Sequence, residues 1–142
     1  MPIFLAESSA DIARCFDVMK QLRTHLSAEE FIRSVVMQRE QGYQLAISER
    51  DGTIVAVAGF RVIAMLFSGK TLYVDDLVTD AQHRSQGIGK ELVHWLIEYA
   101  RKQHCQTFSL DSGVQRDRAH AFYFGVGMHI SSYHFQLPIP RA

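Results

Sequence analysis

Two cysteines in 142 residues leave no disulfide framework to build on. Cys15 and Cys105 both fall in or beside helical patterns and read as reduced, structural residues. Charge of either sign is not in excess: 15 acidic and 15 basic side chains give a formal net charge of zero, which removes the electrostatic footprint of a nucleic-acid binder. No apolar run approaches the length needed to span a bilayer, and MPIFLAESSADIAR lacks the basic leader, apolar core and cleavage site of a secretory signal, so the expectation is a cytoplasmic protein that engages no membrane. Metal-ligand spacings such as H-x-x-x-H or C-x-x-C do not occur, so no metal is expected, and Ser109 and Ser112 sit in no nucleophile-elbow pattern. Repeats, low-complexity tracts and linkers are missing too. What remains is a soluble globular composition, 47% apolar and 21% charged, of a length that suits one domain over residues 1–142.

The apolar periodicity orders that domain. Ile3 to Ala6 suits an opening strand, and Ser8 or Ser9 can cap a helix carrying Ile12, Cys15, Phe16, Met19 and Leu22. Ser27 with Glu30 fits a capping box for a second helix that ends near Gln41, before Gly42. Tyr43 to Ser48 and Ile54 to Met65 are strand-like around an Asp51-Gly52 hairpin turn, and Phe67 to Lys70 marks another turn. Strand Thr71 to Val78, a helix from Ile88, strand Thr107 to Leu110, a helix from about Arg116 and a last strand Ile130 to Leu137 complete the order. A meander leading into a β-α-β-α-β unit implies an α/β (α+β) fold in three layers, a mixed sheet with helices on both faces.

The junction from Thr79 to Lys90 has a chemistry of its own. The first N–H groups of a helix lack intrahelical partners and lie at the positive end of its dipole, where an anion satisfies them. Gly87 and Gly89 leave the backbone approachable, and Arg84 and Lys90 supply positive charge. A magnesium-nucleotide loop is excluded because Arg84 stands where its first glycine belongs and Glu91 follows Lys90; a dinucleotide fingerprint is excluded because GIGKEL has no third glycine.

Arg84-Ser85-Gln86-Gly87-Ile88-Gly89 resembles the R/Q-x-x-G-x-G/A pyrophosphate loop of the GNAT superfamily of N-acetyltransferases. Ala119, Phe122, Tyr123, Gly127 and Met128 match a second pattern of that family, A-x-x-F/L-Y-x-x-x-G-F, in the right order. Arg116 stands where members often carry Asn. The resemblance covers the C-terminal half. It implies a twisted sheet of six to seven strands with about four helices, acetyl-CoA as co-substrate, and a primary amine of a small molecule or a protein as acceptor, attacked directly in a ternary complex. It admits a homodimer, and it also admits a non-catalytic acyl-CoA sensor of the same fold. For the cofactor it implies Leu77, Val78, Thr79, Arg84, Ser85, Gln86, Gly87, Ile88, Gly89 and Lys90. For catalysis it implies Tyr123 near the cofactor sulfur, with Asp75, then Asp76, as the base.

The two aspartates are conspicuous without the resemblance. They interrupt an otherwise apolar strand, where a carboxylate is costly unless it pairs with an arginine or with backbone donors at a distortion. Regular alternation predicts that they face opposite sides of the sheet.

Overall fold

A computed structural model describes residues 2–141. Two compact units are present, one running to Leu110 and one from Asp111 onward. The first unit is built on a five-stranded sheet in the order β1 Ile3–Leu5, β2 Gln44–Arg50, β3 Thr53–Met65, β4 Gly69–Thr79 and β5 Thr107–Leu110. Neighbours are antiparallel from β1 to β4, and β4 pairs with β5 in parallel. Helices α1 Ser9–Arg14 and α2 Phe16–Met19 meet at Cys15; α3 is Ala28–Arg39 and α4 is Ile88–Lys102, preceded by a 3-10 turn at Ala81–His83.

Alternation along the strands makes the layers. Leu45, Ile47, Val57 and Val78 pack with Ile12, Met19, Phe31 and Val35 from α1 to α3. Ala46, Ala58, Phe60, Leu72 and Val74 pack with Ile88, Leu92 and Leu96 of α4. The small residues on that second face leave room for α4 to lie close against the sheet. The predicted caps are in place: Ser8 Oγ accepts from Asp11 N at 3.1 Å, and Ser27 and Glu30 exchange both bonds of a capping box. Cys15 is buried, its Sγ donating to Asp11 O at 3.3 Å, and burial pushes its thiol up to about 12.

The second unit holds α5, Asp117–Gly125, followed by irregular chain. Here the expectation of six to seven strands fails, because five form among the described residues and Ile130 to Leu137 is not one of them. Tyr133, Phe135, Leu137 and Ile139 keep the period of a half-buried strand, yet all four are exposed. A strand is defined by the ladder beside it, and no ladder closes on this segment.

Candidate functional site

Strand β4 departs from regular pairing in its second half. Gly59 pairs with Asp76 and Phe60 with Val74, which leaves Asp75 as the extra residue of a β-bulge. Val74 and Leu77 both pack toward α4, so the two residues between them turn the other way together. The expectation that Asp75 and Asp76 face opposite sides is therefore corrected: the bulge cancels one step of the alternation and puts both on the face of α1 to α3.

Each carboxylate has its own clamp there. Arg61 of β3 binds Asp75 with two prongs, Nε to Oδ1 at 3.1 Å and Nη2 to Oδ2 at 2.8 Å, while Nη2 also donates to Gln38 Oε1 of α3 at 2.7 Å. Asp76 accepts from Arg23 Nε at 2.8 Å and from the Tyr43 hydroxyl at 2.7 Å. The clusters interlock, because Arg23 Nη2 donates to the Asp75 carbonyl at 2.9 Å and the Arg61 guanidinium lies 5.4 Å from the Tyr43 ring centroid. Gly59 makes room for this: a Cβ there would stand 1.8 Å from Tyr43 Oη and 2.6 Å from Asp76 Oδ2. Burial raises the Asp75 carboxyl above its ordinary range, against the lowering by Arg61 and with the charge of Asp76 adding to it. Burial first, then Asp76, raises the Tyr43 phenol. Tyr43 thus stays a neutral donor.

Beyond the bulge β4 also loses a neighbour. Its pairing with β5 runs from Thr71 to Val74 and stops, so Asp75 to Thr79 is flanked by β3 on one side and, among the described residues, by no strand on the other. Every second backbone N–H along such an edge points away from β3. Past Thr79 the chain runs through the 3-10 turn into α4. Gly87 caps that helix at φ 78 with no side-chain hydrogen bond, unlike Ser8 and Ser27 at α1 and α3, and Ser85 also sits at positive φ, 63°. A Cβ on Gly87 would meet nothing within 4 Å. An uncapped, approachable helix N-terminus, with exposed Arg84 and Lys90 beside it, presents N–H donors to an anion. An open hollow of about 470 Å³ also touches Gly87, lined by Lys90, Glu91, His94, Trp95 and Ile3 along α4. It touches neither aspartate.

A sequence model of the acetyltransferase (GNAT) family matches residues 10–127. The chain belongs to this family. An uncharacterized N-acetyltransferase of Bacillus subtilis is 34% identical over 134 residues, spanning 93% of this chain and 94% of its own length. Rat N-acetyltransferase 8 is 28% identical over 134 residues, and the chain spans only 60% of that longer protein. A putative acetyltransferase of Agrobacterium tumefaciens shares the fold, with a TM-score of 0.84 at 21% identity over 98% of this chain and all of that one. The GNAT chain described here is an acyltransferase, and its family uses acetyl-CoA as co-substrate.

The remaining expected GNAT positions divide by their surroundings. Val78 is buried in the core under α1 to α3, and its backbone faces Val57 of β3, in phase with the Asp80 N to Val55 O bond; Ile88 is buried under α4 and can offer a ligand only backbone. Leu77 packs against the α4 core, and Thr79 ends the pairing with β3 opposite Ala56. The Gln86 side chain is engaged by Arg50 Nη1 at 2.9 Å, which leaves its backbone. Tyr123 lies on α5 in the second unit, its ring edge-on to Phe122 at 5.5 Å; burial raises its phenol and Arg116 opposes that. His120 of the same helix is hydrogen-bonded through Nε2 to the Gly113 carbonyl at 2.8 Å. No group of three or more His, Cys, Asp or Glu among the described residues is placed to hold a metal ion, and no helix among them is long and apolar enough to cross a membrane.

Sequence reasoning passed over Arg23, Gln38, Tyr43, Gly59 and Arg61. Two of them carried a signal. Arg61 is a charge inside the apolar run GFRVIAM, which demands a buried partner, and Gly59 is a glycine in a strand interior, which marks a bulge or a close approach.

Proposed function

We propose that this chain is a single acetyltransferase domain that transfers the acetyl group of acetyl-CoA to a primary amine of a small molecule or a protein, by direct attack with both substrates bound. The observation that carries the reading is the bulge in β4, which gathers two carboxylates beside a strand edge that leads into an uncapped helix N-terminus. The loop Arg84 to Lys90 fits a pyrophosphate, because the space over Gly87 is open and its donors have no capping side chain. The outward N–H groups of Leu77 to Thr79 suit the amides and the carbonyl of an acyl-pantetheine arm, and they favour the charge that builds on the carbonyl oxygen.

An alkylamine of pKa roughly 10.4 arrives protonated and must lose a proton before it attacks. Asp75 is the acceptor of that proton, directly or through water. Its side chain is 23% exposed against 13% for Asp76, and burial raises its affinity for a proton. Asp76, held by Arg23 and Tyr43, fixes the bulge and the local charge. Tyr123 is assigned as donor to the departing sulfur on its place in the motif Ala119-x-x-Phe122-Tyr123.

The test is release of free thiol from acetyl-CoA across a panel of amines, with the pH profile of Asp75→Asn. Amine-dependent release is expected from the wild type. Asp75→Asn should lower kcat/KM at neutral pH and recover in part as rising pH deprotonates the free amine. Binding of acetyl-CoA without release on any acceptor overturns the enzyme reading in favour of an acyl-CoA sensor.

A further inference from the structure

The turn that follows α2 carries no recognised motif, yet its side chains reach both parts of the proposed site. Arg23 grips Asp76 and the Asp75 carbonyl. Two residues earlier, Gln21 Nε2 donates to Asp80 Oδ1 at 2.7 Å while Gln21 Oε1 accepts from Ala81 N at 2.8 Å. One amide thereby fills a donor and an acceptor on adjacent residues, at the point where the chain leaves β4 for the loop into α4. The amide is itself tethered, since Nε2 also donates to the Asp17 carbonyl at 3.2 Å. The clamp continues along the loop. Asp80 Oδ2 meets His83 Nδ1 at 2.7 Å, and Arg50 holds Gln86 at the far end.

Between those anchors the backbone at Ser85 takes a conformation that a non-glycine residue seldom populates. Ser85 and Gly87 both lie at positive φ, and Ser85 has no glycine's excuse for it. Residues 81–87 bury no side chain, so hydrophobic packing does not hold them. A loop that must present backbone donors to an anion binds more tightly if it is ordered beforehand, because the ordering cost is then not charged against binding. We propose that Gln21 is a positioning residue for the coenzyme A loop, bracing its entry so that residues 80–87 hold an anion-receiving shape before acetyl-CoA arrives. The inference rests on the assignment of that loop as the pyrophosphate site.

Gln21→Leu keeps the approximate bulk and deletes both hydrogen bonds to the loop, together with the tether to the Asp17 carbonyl. Calorimetry with acetyl-CoA is expected to show affinity weakened roughly tenfold, as for loss of hydrogen bonds of which one is to a charged group. The KM for acetyl-CoA should rise, with kcat at saturation and the acceptor KM close to wild type. A residue that only stabilised the fold would lower the melting temperature without that selective change. Ala81→Pro is the second variant, for use if Gln21→Leu does not fold. It removes only the N–H that reaches Gln21, at the first position of a 3-10 turn where Asp80 already has ψ 135. It should weaken acetyl-CoA binding several-fold. Gln21→Leu and Asp80→Ala should be non-additive, since each removes the other's partner. Affinity within twofold of wild type in the folded variants, or strict additivity, overturns the proposal. Gly87→Val separates the two assignments: if it abolishes binding while Gln21→Leu does not affect it, only the bracing role is lost; if Gly87→Val binds as wild type, the loop assignment and the bracing role fall together.

Discussion

Gly59→Ala is the sharpest probe of the aspartate cluster, because the added atom has nowhere to go. The new Cβ would lie 1.8 Å from Tyr43 Oη, 2.5 Å from Tyr43 Cζ and 2.6 Å from Asp76 Oδ2. Tyr43 cannot swing aside cheaply: it is 4% exposed and its ring lies under the Arg61 guanidinium. The variant must therefore push the phenol off Asp76, losing a hydrogen bond to a charged acceptor worth about 1.5 to 3 kcal/mol, and must overpack a filled space at about 1 to 3 kcal/mol more. A loss near ~3 kcal/mol is expected in urea denaturation, and at this chain length the melting temperature should fall by roughly 10 °C. The same substitution made with Tyr43→Phe already in place should cost about 2 kcal/mol less, because the hydrogen bond to Asp76 is then already absent and the nearest clashing atom is gone. A loss under ~1 kcal/mol, or equal cost in both backgrounds, would refute the packing of Tyr43 and Asp76 over Gly59.

A Cβ at Gly87 meets no protein atom within 4 Å but is strained at φ 78, so for Gly87→Val a modest stability loss of about 1 to 2 kcal/mol should accompany at least a roughly tenfold weaker acetyl-CoA affinity; unchanged affinity by calorimetry in the folded variant removes the anion site from this helix. Arg61→Met takes away the partner that lowers the Asp75 pKa and leaves the burial that raises it, so the acid limb of kcat/KM should move to higher pH; no movement, or movement to lower pH, is incompatible with Asp75 as the base.

Local signals served well where local physics decides. The capping box of Ser27 and Glu30, the hairpin at Asp51-Gly52 and the amphipathic α4 with Leu92 and Leu96 inward all depend on neighbours in sequence. So did the suspicion attached to Asp75 and Asp76, which follows from the cost of a carboxylate in an apolar strand. Partners distant in sequence were not legible. Nothing near Asp76 in the chain points to Arg23 or Tyr43, and the period of Tyr133 to Ile139 says what a strand would bury without saying whether one is paired. The apolar period and the glycines located the helix N-terminus, but the contacts of Gln21 and Arg50 with the loop arise only when the turn after α2 and the end of β2 fold against it.

The bulge itself was written in the apolar pattern, in a form that strict alternation hides. Leu72 and Val74 face α4; without an inserted residue the same face would next receive Asp76 and then Val78. That arrangement drives a carboxylate into a core lined by Phe60 and Leu92 and wastes Leu77 on the side of Arg23 and Arg61. An unpaired buried carboxylate costs several kcal/mol, on the order of a large share of a domain's total stability. One extra residue removes the conflict. Leu77 returns to α4, Val78 joins the core under α1 to α3, and both acids reach arginines. The ladder with β5 ends at Val74, one residue before the bulge, so the step that gathers the acids coincides with the point where the edge of β4 comes free. The gathering of both acids on one face is thus the product of this irregularity: in a regular β4, Asp75 would stay beside Arg61 while Asp76 turned into the α4 core, and the free edge would lie beside one carboxylate rather than two.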